Sequence, residues 1–490
     1  MRARGPVAVA SAHPLSTAAG LEVLRAGGNA YDAALAVSAA LPVVQPHMNG
    51  LGSDFFALVR ERSTVAVNAS GPAGRHATPG TYRGLGLRRI PARGPLSSIT
   101  VPGLVAAWSF LGRGARLRRH RVFAPAIRLA AQGFPASPSL ARAARAVRWA
   151  DDDFRRLYGS VRAGVVLRQP TLARTLRRIA DDDGHGFYHG RLARLLCKNL
   201  GAKGGLLDPD DMDEFSPSIE RPLRVRYRKY TVETNPPPSQ GATALIWLNL
   251  LAREDLPGTE PRRFAPTLRR TMRVAYAYRA TCIGDPVWVR FPRYLLRRDA
   301  EYRSPPIAPR STRPEPSDTT AFSVYDGEVG ISAIQSNYGG FGSGVAIRGT
   351  GITLNNRGSY FTLDPSHPNV LAPGKRTFHT LMATVVTGPR TVLTGSMGGD
   401  VQPQVNVQVL TRHLDLGWPL PKAIAAPRFA CPASIYGPAP TYREPGLYLP
   451  GARLVRRRPA LFGHAQAISV GEEIEVGVDP RGDGLLPLPS

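Results

Sequence analysis

Apolar residues arrive in short blocks along the first sixty positions. Residues 7–10 form an apolar run of strand length. Leu21 and Leu24 then continue a helical turn, with Ser16 as its candidate N-cap and Gly27-Gly28 as its stop. Asn29 can cap a second helix over 31–40, apolar on every side and therefore buried. The Gly-rich turn Gly50-Leu51-Gly52-Ser53-Asp54 leads into a strand at 55–59. Helical periodicity dominates from 102 to 251, as in 123–134 and 171–182, until Pro236-Pro237-Pro238-Ser239-Gln240-Gly241 breaks the chain ahead of a helix at 242–251.

The pattern changes after residue 253. Segment 253–316 is rich in Arg, Pro and aromatics, and 304–317, with five prolines and no apolar period, reads as an exposed linker. Strand signals follow at once. Residues 319–325 are β-branched and aromatic, Asp326-Gly327 is a hairpin turn, and 329–336 is the return strand. A second pair is expected at 381–386 and 391–393, and helices at 405–414 and 422–426. Helices and strands in mixed order, without a repeat, favour a layered α/β architecture.

Composition narrows the function classes. With 490 residues, 43% of them hydrophobic, the chain can bury a large core. No apolar run reaches the length of a membrane span and no signal core opens the chain, so a cytoplasmic protein without membrane attachment is expected. Cys197, Cys282 and Cys431 are far apart and odd in number, which suits three buried thiols better than disulfides or a zinc site. The net charge of +27 invites a nucleic-acid reading, yet only five of the 63 basic residues are Lys. The excess Arg is spread along the whole chain. Its densest clusters, Arg116-Leu117-Arg118-Arg119-His120-Arg121 and Arg456-Arg457-Arg458, have no interleaved aromatics, so no specific nucleic-acid partner is expected.

Thr319-Thr320 at the head of a hairpin is by itself an ordinary β-branched opening. Its surroundings are more specific. Downstream lie Gly339-Gly340-Phe341-Gly342-Ser343-Gly344, Leu354-Asn355-Asn356-Arg357-Gly358, Pro373-Gly374-Lys375-Arg376 and Gly395-Ser396-Met397-Gly398-Gly399-Asp400. Together with Ala26-Gly27-Gly28-Asn29-Ala30, Phe187-Tyr188-His189-Gly190, Pro237-Pro238-Ser239-Gln240-Gly241 and Ala426-Pro427-Arg428, they make the whole chain resemble the γ-glutamyltranspeptidases, a family of N-terminal-nucleophile (Ntn) hydrolases.

That resemblance implies an α/β fold of the four-layer αββα kind. It also implies self-cleavage between Asp318 and Thr319 into a large subunit, 1–318, and a small one, 319–490. Thr319 would be the nucleophile and Gly398-Gly399 the oxyanion hole. A hydroxyl needs a base, and the freed α-amine, with an ordinary pKa of about 7.7–8.0, can take its proton near neutral pH. Backbone N–H groups unobstructed by side chains then meet the oxyanion. Asn337 matches a substrate-contacting asparagine, Thr320 fits the pattern beside the nucleophile, and Gln335 falls where a helper threonine stands. The implied reaction transfers the acyl group of a small amide to water or an amine, with no metal or organic cofactor. Association into a homo-oligomer is left open.

Substrate recognition departs from the family. The arginine that holds the γ-glutamyl carboxylate falls on Ser70 or Pro72, with Arg75 displaced nearby. The acidic residue that pairs with the substrate amine falls on Tyr360, two serines on His379-Thr380, and a glutamine on Arg357. A more positive site is therefore expected, favouring an acidic or neutral acyl group without a free amine. The pattern is nearest to a branch containing acylases and an oxamate amidohydrolase. A glutathione hydrolase with a relocated clamp, through Arg75 or Arg357, and an inactive scaffold are the alternatives.

Overall fold

The computed structural model of the protein describes residues 6–256, 261–302, 317–432, 440–456 and 459–485. Residues 304–316 of the linker expected at 304–317, and Arg457-Arg458 of the second basic cluster, lie outside the described residues, while Ser317 already belongs to a strand.

In chain order the main strands are β1 (Ala8–Ser11), β2 (Asp54–Arg60), β3 (Thr64–Ala69), β4 (Ser218–Glu220), β5 (Leu223–Tyr227), β6 (Tyr230–Thr234), β7 (Ser317–Tyr325), β8 (Gly330–Gly339), β9 (Ala383–Thr387), β10 (Thr391–Met397), β11 (His464–Val470) and β12 (Ile474–Val478). One sheet runs β1-β7-β8-β2-β3-β4 and the other β12-β11-β10-β9-β6-β5. The framing helices are α1 (Pro14–Arg25), α2 (Ala30–Val44), α3 (Leu104–Arg113), α4 (Arg119–Gln132), α5 (Pro170–Asp182), α6 (Gly241–Leu251), α7 (Pro261–Cys282) and α8 (Gln402–Leu414).

Alternation along the strands builds the layers. On the outer face of the first sheet, Phe55, Ala57, Phe322, Val324, Ile331 and Ala333 join one core with α2–α5. On its inner face, Phe56, Leu58, Ala321 and Ile334 meet Val385 and Leu393 of the second sheet and Leu381 just ahead of β9. That sheet's outer face packs Leu223, Val225, Val232 and Val392 against α6–α8. The result is the four-layer αββα sandwich.

Several elements differ from the sequence reading. The first helix is capped by His13, whose Nδ1 accepts from Leu15 N at 3.2 Å, while the Ser16 hydroxyl sits inside the helix and donates to the His13 carbonyl. The helical reading of 102–251 passed over β4–β6, because Leu223, Val225 and Tyr227 alternate with outward arginines for only five residues. Segment 253–316 contains α7, whose many arginines mask its apolar stripe. Cys197 and Cys431 are buried, but Cys282 is only partly so. No helix among the described residues is long and apolar enough to cross a membrane.

Candidate active site

The candidate nucleophile lies three residues into β7, at the end of the sandwich where the two sheets face each other. Thr319 is 2% exposed. The β7–β8 register is regular from Tyr325↔Gly330 to Thr320↔Gln335, then slips so that Asp318 faces Tyr338. Ser336 and Asn337 therefore stand together opposite the single residue Thr319. Such a bulge bends the strand and re-aims side chains. Tyr338, at φ 75°, completes the bend.

The bulge concentrates hydrogen bonds on one hydroxyl. Thr319 Oγ1 donates to Ser336 Oγ at 3.2 Å, and Tyr338 N donates to the same oxygen at 2.7 Å. Ser336 Oγ in turn donates to the Asp318 carbonyl oxygen at 2.7 Å. The Asp318 side chain is seated beside Gly340, where a Cβ would stand 2.5 Å from Oδ2. Burial raises its carboxyl to about 6, partly offset by Arg93.

One strand further on, Asp54 of β2 pairs with Ser336. It is fully buried and receives Arg357 Nε and His379 Nε2, each at 3.0 Å on Oδ2. Arg357 also reaches Thr380 Oγ1 at 3.3 Å, and its guanidinium lies 4.5 Å from the Tyr338 ring centroid. His379 Nδ1 accepts from Leu381 N, so the neutral ring carries its proton on Nε2 and gives it to Asp54. Burial, helped by Arg357, lowers His379 to about 4. Burial pushes Asp54 up, but His379 and Arg357 outweigh it and hold the carboxyl below its ordinary value. Near neutral pH this group is one ion pair with an uncharged imidazole. The expected positive excess is absent from it, because Asp54 cancels Arg357. Three buried polar atoms here have no partner among the described residues: Arg357 Nη2, Asn337 Nδ2 and Asp54 Oδ1. The Asn337 Oδ1 accepts from Ser53 Oγ at 2.9 Å.

The second sheet brings the glycine pair. Gly395 of β10 lies against Ala321 of β7, a Cβ at Gly395 coming within 3.1 Å of the Ala321 Cβ. Three residues on, Gly398 and Gly399 turn the chain at φ 141° and 53°. Gly398 O accepts from Val401 N, and Gly399 O from Gln240 Nε2 at 2.7 Å. Arg279, fully buried, holds Gln240 Oε1 at 2.8 Å and Asp400 Oδ1 at 3.0 Å, and Tyr360 donates to that same Asp400 oxygen at 2.8 Å. Both glycine carbonyls are thereby fixed inside the fold. Since N–H and C=O point oppositely across a trans peptide, the amides that follow them face the other way.

Thr319, Asn337, Arg357, Tyr360, His379, Thr380, Gly398 and Gly399 thus gather at this end of the sandwich. Three other sequence candidates do not. Gln335 is on the far face, where its amide bonds Ser38 of α2 and Asn49 and ties the sheet to the helix layer. Thr320 alternates to the same face and donates only to Gln335 O, at 3.4 Å. Arg75 is directed to a surface group of carboxylates, Asp208, Asp210, Asp211 and Glu214. Its position close to Ser70 in the chain misled, because the guanidinium reaches where the opposite charge is. Sequence reasoning missed Ser336, Asp54, Asp400, Gln240 and Arg279. Asp54, Gln240 and Asp400 stand within motifs singled out from the sequence, and Ser336 ends the expected return strand.

A model of the gamma-glutamyltranspeptidase family matches residues 16–486. The chain is 37% identical to the glutathione hydrolase-like YwrD proenzyme of Bacillus subtilis, over 97% of each. It is 35% identical to the oxamate amidohydrolase proenzyme of Klebsiella pneumoniae, over 85% of this chain and 83% of that one. Among solved structures, cephalosporin acylase from Bacillus halodurans superposes with a TM-score of 0.87 at 32% identity, over 99% of this chain and 97% of the other.

Proposed function

Because the chain belongs to the gamma-glutamyltranspeptidase family of self-processing amide hydrolases, we propose that Thr319 is both its maturation site and its nucleophile. The observation that carries this reading is the bulge: the Thr319 hydroxyl and the carbonyl just before it meet on one oxygen, Ser336 Oγ, in a buried corner. Once the bond is cut, the Thr319 α-amine supplies the base. The hydroxyl attacks the substrate amide carbon, and N–H groups of the Gly398-Gly399 turn receive the oxyanion. The amine proton goes to the leaving group, and water or an amine then takes the acyl group from Thr319.

The acyl group is small and presents oxygen acceptors. Arg357 Nη2 and Asn337 Nδ2, buried without partners, would donate to them. Tyr360 stands where the family binds a substrate ammonium, and its hydroxyl is committed to Asp400. Monoamides of small dicarboxylic acids fit this arrangement better than γ-glutamyl compounds, in keeping with the similarity to an oxamate amidohydrolase.

Intact mass of the purified protein tests the first step. Wild type should resolve into two chains that begin at residues 1 and 319, and Thr319→Ala should stay whole. A wild type that remains a single chain after prolonged incubation would sink the reading. Release of ammonia from oxamate-type and glutaryl amides should exceed turnover of γ-glutamyl-p-nitroanilide. The reverse order would restore the glutathione hydrolase alternative.

A further inference from the structure

Ser336 has a hydrogen-bond arrangement that a merely structural hydroxyl does not need. A serine hydroxyl has two acceptor positions and one proton to give. Both acceptor positions are filled, by Thr319 Oγ1 at 3.2 Å and by Tyr338 N at 2.7 Å. The proton therefore has one remaining direction, and at 2.7 Å along it lies the carbonyl oxygen of Asp318. That distance is the one required of a donor aimed at a developing oxyanion. The bulge creates this geometry, since the extra residue in β8 frees Tyr338 N from the ladder and turns Ser336 toward the Asp318–Thr319 peptide. The acceptor is itself held, because the Asp318 side chain is seated against the bare Cα of Gly340.

We propose that Ser336 is the catalytic residue of maturation, acting as a proton relay between the attacking hydroxyl and the scissile carbonyl; this rests on the reading of Thr319 given above. As Thr319 Oγ bonds to the Asp318 carbonyl carbon, its proton passes to Ser336 Oγ. The proton of Ser336 passes to the carbonyl oxygen, which becomes a hydroxyl. The tetrahedral adduct is neutral, so the step needs no external base. That matters because the Thr319 nitrogen is still an amide and cannot serve as one. On collapse the C–N bond breaks, the carbonyl re-forms, and the hydroxyl proton moves to the nitrogen. An ester between Asp318 and the Thr319 oxygen remains, and water hydrolyses it to a free carboxylate and a free hydroxyl. Ser336 is thus assigned a role in producing the enzyme that is separate from the α-amine's role in running it.

The test follows precursor cleavage by intact mass in wild type, Ser336→Ala, Ser336→Cys and Thr319→Ala, with thermal melts to compare folding. Loss of one such donor costs about 10²–10³ in rate, so Ser336→Ala should mature at least tenfold more slowly while melting cooperatively. Ser336→Cys, of similar shape but with a weaker donor, should be slowed as well, and it decides the matter if the alanine variant does not fold. Hydroxylamine cleaves an accumulated ester, so it should not rescue either variant if the acyl shift itself is impaired. Cleavage of both variants at the wild-type rate, or full rescue by hydroxylamine, would overturn the relay and leave Thr319 in place. An uncut wild type would instead overturn the Thr319 reading on which the relay rests.

Discussion

At the scale of single residues, the site is governed by which buried groups have partners. Arg357 and Asp54 are 1% and 0% exposed at the side chain and 3.0 Å apart. Removing one partner of such a pair strands the other, which costs about 3–5 kcal/mol. Arg357→Met should therefore lower unfolding stability by that amount in a denaturant titration, as well as impairing turnover. A loss below about 1 kcal/mol would mean that Asp54 is satisfied by other means. The residues also show what sequence does and does not disclose. Thr319, Asn337 and the glycine pair were legible because their motifs are local. Gln335 was misplaced because a strand presents alternate residues to opposite faces, and position in a motif does not reveal the face. Arg75 was misplaced because a long side chain follows local charge. The Asp54–Arg357 pair was invisible because its members are 303 positions apart.

At the scale of elements, β10 and the turn after it position the oxyanion site. Gly398 holds φ 141°, and a Cβ there would stand 2.8 Å from Val401 Cγ2. Gly398→Ala should therefore shift the turn and lower kcat by about 10²-fold with little change in KM, since donors aimed at the oxyanion act in the transition state. Steady-state kinetics would check this, and an unchanged kcat would remove the turn from the mechanism. Most elements were legible from periodicity, including β7, β8 and the buried α2. The strands β4–β6 and the hairpin β11–β12 were not; in β5, arginine at alternate positions leaves too few apolar residues to distinguish a strand from a helix face or a loop.

At the scale of the whole molecule, burial of neutral histidines sets the response to acid. His13 and His47, near Asp483, and His379, against Asp54, are each lowered by burial from 6.5 to about 4. Arg357 assists at His379, and the carboxylates oppose. A depressed histidine binds fewer protons folded than unfolded, so its stabilisation is complete above the unfolded pKa and lost as pH falls through the folded one. Each shift corresponds to roughly 3 kcal/mol. Asp318, raised to about 6, and Asp400 and Asp415, also raised by burial, act with the opposite sign, while His367, His413 and His464, likewise lowered by burial, add to the loss. Unfolding free energy should therefore drop steeply from pH 6.5 to 4, and substituting His13 by a neutral isostere should flatten the curve. A profile level across that interval would mean that these rings are hydrated.

The strand that carries Thr319 is hydrogen-bonded to β8 from its first residue, on both sides of the bond proposed to break. Attacking group, relay and carbonyl all belong to one folded chain. A cut made there obeys first-order kinetics and runs at the same pace in dilute and concentrated protein. Until it happens, the nucleophile's own amine is tied up in the backbone. The delay between folding and activity is then a property of the molecule alone, and each copy keeps its own time.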